Sequence, residues 1–441
     1  MSELLRLLAV GAAAACLTLV SAGCGEQEPP IRVAVLTECI GPEQAHKESI
    51  LAAAQLPFIE RGARPRGSGP AAGLEGASFG GRPVEMLVGC TNIPNLSGLI
   101  IEVRRLIETS GADVIIGPAG EQGGIVTRRL AARYPHVTFL LGASGAQAAT
   151  LSDPQPNLFR FVADGAQSAA GLAAHAYTDL GWRRAALVMD PMPHSWEQAA
   201  GFVAEFCALG GTVVSRDLAL GAAAADRALA ARLSRRVDGT MLITTFVNPA
   251  AFLRAYDRGA AALPRRLVLT GYAFALPDGL SPRGIDLSGV VLGGDLPLDS
   301  ERPQWRRQQQ AYARAFPQLR PESAHGPFEH PPYMAAEALA RALERVDGDL
   351  GRDGRRLRAA LSKVAFDGPA GPVRLDRNRQ AVVSVHLRRI EGRGARARTV
   401  PFRVVEEVDQ SFGGAFDEGT PAPSFESPKC RRGRVPAWAA G

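Results

Sequence analysis

The chain has 441 residues, is 46% hydrophobic and 21% charged, and carries a formal net charge of +6. That length exceeds what a single core ordinarily serves, so two or more domains are expected. The positive balance comes from Arg scattered in short groups such as "RRLAAR" and "RRVDG", with no long basic run and no basic–aromatic interleaving, which argues against a nucleic-acid partner.

The first element is a leader. In "LLRLLAVGAAAACLTLVSAGCGEQEPP", Arg6 supplies a basic start and Leu7 to Val20 an apolar stretch too short for a membrane span. "SAGC" closes it and resembles a bacterial lipobox, which makes Cys24 the candidate lipid-attachment residue, residues 1–23 a signal peptide and 24–30 a tether. An ordinary signal peptide cut nearby is the alternative. Either reading exports the chain, with the lipid anchor as its contact to the membrane. Removing residues 1–23 takes away Glu3 and Arg6, so the net charge is unchanged.

Export permits disulfides. Cys39, Cys90, Cys207 and Cys430 remain after the leader and anchor cysteines are set aside. Cys39 follows the strand "IRVAVL" and Cys90 follows "VEMLVG", so they meet at the same strand ends if those strands are neighbours. Cys207 lies in the apolar helix "GFVAEFCAL", where a buried free thiol is the simplest reading and pairing with Cys430 the alternative. The spacings do not make a zinc site, and no cofactor is implied.

Strand-like and helix-like segments then alternate. "IRVAVL" leads to "ESILAAAQLPFIE", "RPVEMLVG" to "NLSGLIIEVRRLIETS", and "ADVIIG" to "GGIVTRRLAARY"; "HVTFLLGAS" ends in a loop. The stretch "RGARPRGSGPAAGLEGASFGGR" is expected to be a surface excursion. After "NLFRFV" the alternation restarts. A helix over "AQSAAGLAAHAYTDLG" precedes the strand "RRAALVMD", and "SWEQAAGFVAEFCALGG" precedes "TVVSRDLAL". "DRALAARLSRRV" and "GTMLITTF" come next, followed by "PAAFLRAYDRG" and "RRLVLTGY". This is the pattern of parallel sheets covered on both faces, repeated once. The helices "RPQWRRQQQAYARAFPQL", "PPYMAAEALARALERV" and "GRRLRAALSKV" follow, then a hairpin over "GPVRLDRNRQAVVSVHLRRI" and an irregular tail at 406–441.

The wording and order of "ADVIIGP", "FLLGAS", "NLFRFVADGAQSAAGLAAHAYTDLG", "PPYMAAEALARALERV" and "FDGPAGPVRLDRNRQ" resemble the type I periplasmic solute-binding proteins, in particular the branched-chain amino acid (Leu/Ile/Val) receptors of ABC transporters. The likeness runs from Ile31 to Arg393, and "RYPHVTF" is also similar to the basic-membrane-protein branch. It implies an α/β fold of two Rossmann-like lobes joined by three hinge crossings, near Arg160 to Ala163, Gly294 to Leu298 and Phe366 to Gly371. Lobe 1 would comprise 31–160 with 296–365, and lobe 2 would comprise 161–295 with 366–405. The implied partners are a small-molecule ligand and an ABC permease, with the receptor a monomer.

In open parallel sheets ligands sit beyond the carboxyl ends of strands, at helix N-termini. The resemblance maps the ligand loops onto Ala119 to Gln122, Gly142 to Gly145, Pro193 to Trp196, Thr245 to Val247 and Gly271 to Ala273. Candidate ligand-binding residues are therefore Gly120, Glu121, Ala143, Ser144, Ser195, Trp196, Phe246 and Tyr272. Glu121 stands where the amino acid receptors offer a hydroxyl. Two like carboxylates ~4 Å apart would repel by about 4 kcal/mol at a surface-like dielectric. Glu121 therefore points to solvent, or the ligand is not an amino acid in the usual pose. Ser144 is a ligand contact or a helix cap; Trp196 is a cleft wall or a helix-packing aromatic.

Two rivals fail on context. Gly117, Gly120, Gly123 and Gly124 echo a dinucleotide loop, but they follow the third strand and no acidic residue closes the next one. The seven His are dispersed, "HGPFEH" lacks metal-helix spacing, and no G-x-S-x-G elbow exists, so no enzyme is implied. A sensor or partner-binding lipoprotein of the same fold, uncoupled from transport, is the alternative function.

Overall fold

A computed structural model describes residues 28–440 apart from 93–94, 220, 234, 246, 260–261, 275–284, 299, 321–323 and 325. The leader, Cys24 and Phe246 thus lie outside the described residues. No helix among the described residues is long and apolar enough to cross a membrane.

Short runs of Val, Ile and Leu become strands buried on both faces because helices cover both sides. In the first sheet the strands lie in the order Ser78–Phe79, Arg82–Thr91, Ile31–Glu38, Val114–Ile116, Thr138–Leu140 and Leu158–Phe159. Only the short edge strand is antiparallel. One face packs on the helices Lys47–Ile59, His330–Arg345 and Arg355–Leu361 through Val33, Val35, Leu56, Leu339 and Leu361. The other packs on Leu96–Glu108 and Glu121–Arg133 through Leu36, Ile115, Val103 and Leu130.

The second sheet orders Thr212–Leu218, Arg184–Met189, Gly239–Ile243, Leu267–Thr270 and Val291–Gly294, all parallel. The long strand Ala381–Glu391 then pairs antiparallel with Val291–Gly294, Gly371–Leu375 and Arg398–Val408. Counting parallel strands, both sheets run second, first, third, fourth, fifth. Each therefore has a switch point between its first and third strands, where the following loops diverge and leave a crevice. The hairpin joins the two cores: Val373 and Ala381 sit in the first, Val385 and Leu387 in the second.

Four expectations need correction. The 61–82 stretch is not a mere surface excursion: Arg64–Pro65 pairs with Leu74–Glu75, and Leu74, Ala77 and Phe79 are buried in the first core. The helix expected over 166–181 is broken. Gly171 sits at φ 81, a left-handed conformation that glycine adopts without steric cost, and a Cβ there would lie 2.4 Å from Val405. Cys207 is not a free thiol, because it is bonded to Cys430. The tail is not irregular from its start: the strand Arg398–Val408 runs into it, and Phe412, Phe416 and Trp438 pack on the second core. Cys39 and Cys90 are also bonded, at the adjacent ends of parallel strands.

The break at Gly171 leaves helix-start amides without intrahelical partners. Glu205, buried in the helix Pro193–Ala208, fills that role: its carboxylate accepts from Gly171 N and Ala174 N, both at 2.8 Å. Burial pushes this carboxyl up to about 7, against the pull of those two bonds. A folded value above the ordinary 4.5 means that the folded chain holds the proton more tightly. The resulting stability is full below that ordinary value and is lost as pH rises to about 7. Glu205→Gln keeps an acceptor but cannot titrate. Denaturant unfolding between pH 4.5 and 7 should show wild type losing up to about 3 kcal/mol relative to the variant; a parallel pH profile for the two would refute the assignment.

Candidate functional site

The loops after the parallel strands of both sheets line one cleft, which holds two cavities. The larger, about 360 Å³, lies against both switch points. Glu38 and Thr91 end the first two strands there, Pro118 to Gly123 follow the third, and Met192, Pro193, His194 and Thr245 come from the other sheet. The smaller, about 70 Å³, is bounded by Gly142 to Gly145, Asp164, Gln198, Asp295, His330 and Arg388. His194 and Tyr272 belong to both walls and divide the space, their rings stacked 4.3 Å apart at 23°.

The cleft is bridged. Glu121 opens the helix Glu121–Arg133 of the first lobe, and one carboxylate oxygen meets Nδ1 of His194, from the second lobe, at 3.0 Å. The same oxygen accepts from Gly145 N at 3.3 Å. Burial alone would push the Glu121 carboxyl up. The His194 bond and charge and the amides of Glu121 and Gly145 outweigh that and hold it below the usual range. A second bridge is aromatic, with Tyr272 and Phe328 5.7 Å apart. Phe328 is backed by His46 at 4.7 Å, itself bonded to buried Glu329. Tyr272 is aimed by Gly271, whose φ of 109 and 2.2 Å approach of a virtual Cβ to the Thr244 carbonyl admit no side chain. Burial, with Glu121 and Asp295 adding to it, raises the Tyr272 phenol and keeps it protonated.

The polar groups in the wall of the smaller cavity are incompletely paired. Ser144 Oγ, His194 Nε2, Gln198 Oε1 and His330 Nδ1 are buried and have no hydrogen-bond partner among the described residues. Each such group costs about 1–3 kcal/mol unless water or a ligand satisfies it. Burial, with His386 nearby, holds the His330 imidazole down at about 4, so it is neutral at pH 7. Burial raises the Asp295 carboxyl. Among the described residues no group of His, Cys, Asp and Glu is arranged to hold a metal.

The structure brings Gly120, Glu121, Ala143, Ser144 and Tyr272 to the cleft walls. It takes Ser195 and Trp196 away from them. Ser195 is fully buried, donating to Asp190 Oδ1 at 2.5 Å and lying 3.0 Å from Thr245 Oγ1; it braces the turn after the strand Arg184–Met189. Trp196 packs on the second core. The reason is helical geometry: at about 100° per residue, position 196 lies about 200° from position 194, so only one of them can face the cleft. His194 holds that place. Glu38, Thr91, Gln198, Asp295, Phe328, His330 and Arg388 also line the cleft and were not among the candidate ligand contacts. Glu38 and Thr91 had a signal, since both end strands at a switch point; the others come from segments far apart in sequence.

The chain belongs to the periplasmic binding protein family, which it matches over residues 30–395. An ABC transporter substrate-binding protein from Sphaerobacter thermophilus is similar in structure, with TM-score 0.73 and 24% identity, covering 86% of this chain and 99% of that one. A solute-binding protein of an ABC transporter from Rhodopseudomonas palustris, solved with 3,4-dihydroxybenzoic acid, gives 0.68 and 18% over 86% and 98%. A leucine-binding protein from Thermotoga maritima gives 0.64 and 18% over 85% and 99%. These likenesses establish the type I two-lobe α/β fold. No curated protein matched.

Trp196→Ala should lower unfolding stability by about 2–3 kcal/mol through lost core packing. Tyr272→Ala, at the cleft wall, should lower it by less. Urea unfolding of both variants decides this, and the reverse ranking would return Trp196 to the cleft.

Proposed function

We propose that the chain is an exported, lipid-anchored receptor that captures a small polar or amino-acid-like ligand between its lobes for an ABC importer and does no chemistry on it. The observation that carries this is the cavity of about 360 Å³ at the paired switch points, walled by both sheets and crossed by Glu121, His194, Tyr272 and Phe328. A ligand there touches both lobes only when they are together, so closure and affinity are one event. Ligand contacts are assigned to Gly120, Glu121, Ala143, Ser144 and Tyr272, with His194 added. The closing bodies are 31–160 with 296–365 and 161–295 with 366–405, and Cys24 is the lipid-bearing residue. Membership in a periplasmic binding family supports export, and the solute-binding relatives support capture for a permease.

A sensing or partner-binding role is the second reading. It is favoured by the segment beyond residue 395, outside the family match, which is stapled to the second lobe by Cys430 and by Arg216 donating to the Phe425 carbonyl at 3.0 Å. Genes for a permease and ATPase beside this one would support import; an adjacent kinase would support sensing.

A thermal-shift screen over amino acids, amides, amines, nucleosides and aromatic acids tests capture. A true ligand at about 100 times its Kd should stabilise the fold by about 2.7 kcal/mol. Absence of any concentration-dependent shift across the panel would overturn the receptor reading.

A further inference from the structure

Three helices present their N-termini to the larger cavity: Leu96–Glu108, Glu121–Arg133 and Pro193–Ala208. Such ends ordinarily attract a ligand carboxylate through free N–H groups. Here several of those donors are already engaged. Asn95 Oδ1 accepts from Gly98 N at 2.9 Å and caps the first. Pro193 starts the third without an N–H, and the amides of Ser195 and Trp196 turn back to the Met192 carbonyl at 3.0 and 3.3 Å. At the second, the Glu121 carboxylate itself sits among its own amide, the Gly145 amide and His194 Nδ1. The chain has placed its own anion where a ligand anion would go.

Apart from His194, already bonded to Glu121, the rest of the wall has the same sign. Glu38, only 1% exposed, adds a second carboxyl side chain, with Thr91 Oγ1 donating to it at 2.6 Å. Neither Lys nor Arg lines this cavity among the described residues. The remaining surface is apolar or aromatic: Leu96, Leu99, Met192, Tyr272 and Phe328. Carboxylates beside aromatic faces favour a cation twice over, by charge and by the ring quadrupole.

We propose that Glu121 is a built-in counter-anion and that the larger cavity takes an organic cation: a protonated amine on a ring-sized apolar body, not a carboxylic acid. The amine lies between Glu121 and Glu38, and its body lies against Tyr272 and Phe328. This rests on the receptor reading above and narrows its ligand.

The test uses matched probes on the full chain: 2-phenylethylamine, its neutral counterpart phenylacetamide, and the acids benzoate and 3,4-dihydroxybenzoate, each by calorimetry and thermal shift. The amine should bind, and the two acids should not. Glu121→Gln, which keeps the side-chain shape, should weaken the amine about tenfold, the scale of one charge-assisted contact. Glu121→Ser, which vacates the amides of residues 121 and 145, should let an acid bind. Wild type that binds an acid in preference to the amine overturns the cation assignment and leaves the receptor reading standing. Amine binding unmoved in Glu121→Gln overturns the role of Glu121. Failure of these probes and of every compound in the broader screen overturns both readings.

Discussion

The contact between Glu121 and His194 is a charged point at which the two halves of the molecule meet across the cleft. Each residue is set by its own sheet. Glu121 begins the helix that follows the third strand of the first lobe, and His194 sits in the first turn of the helix after the first strand of the second. Their partners complete the bridge, because the ring of His194 that holds the carboxylate at 3.0 Å on its edge carries Tyr272 on its face. A carboxylate this enclosed is tolerable because it is hydrogen-bonded and paired. Opening the cleft would expose it to water and break its contact with His194.

Behind the cleft the chain must cross between sheets, and crossing segments leave the ladders that would satisfy their backbone. Buried amide side chains take over. Gln380 Nε2 donates to the Val162 carbonyl and to Gln167 Oε1, each at 2.8 Å. Gln167 Nε2 donates to the carbonyls of Ala381 and Val408. Gln410, from the tail, reaches Thr150 and Asp164. Arg160 lies fully buried in this group, donating to the Ala146 carbonyl, and burial lowers its pKa against the nearby charges of Asp164 and Glu197. Burial in turn lifts the Asp164 carboxyl to about 6. The tail is therefore part of the crossing rather than an appendage to it.

The alternation of strand and helix was legible because buried parallel strands and the helices over them have distinct periods. The restart after Val162 was legible for the same reason. Period does not report interruptions of this kind: the break falls at Gly171, where φ is 81 and Val405, far along the chain, packs where a Cβ would be. The Cys207–Cys430 bond stood only as the alternative to a free thiol, since an apolar helix around Cys207 reads as core whether or not the tail folds back onto it. At the site, the loops were legible from the strand ends, but the choice of His194 over Trp196 needed the phase of the helix, and the larger aromatic drew the reading away from it. Phe328 and His330 enter the cleft from "HGPFEH", a stretch weighed only as a metal pair, and no local signal marks them as cleft residues.

Glu121 was visible as an oddity but not as a solution. As a charge in a ligand loop it left two readings, a side chain turned to solvent or a ligand that is not an amino acid in the usual pose. The structure turns it inward, where the amides and the imidazole that would receive a foreign carboxylate receive this one instead. That changes the energetics of closure. In a receptor whose anion seat is empty, a ligand's charge draws the lobes together. On the proposed receptor reading, the pair that spans the cleft belongs to the chain, so part of the closing free energy is present before any ligand arrives. A ligand then pays less of a conformational tax, because its apparent affinity scales with the fraction of chain already competent to hold it. It must, however, add contacts of its own to shift the balance further, and in the larger cavity Glu38, Tyr272 and Phe328 are there to make them with the proposed ligand.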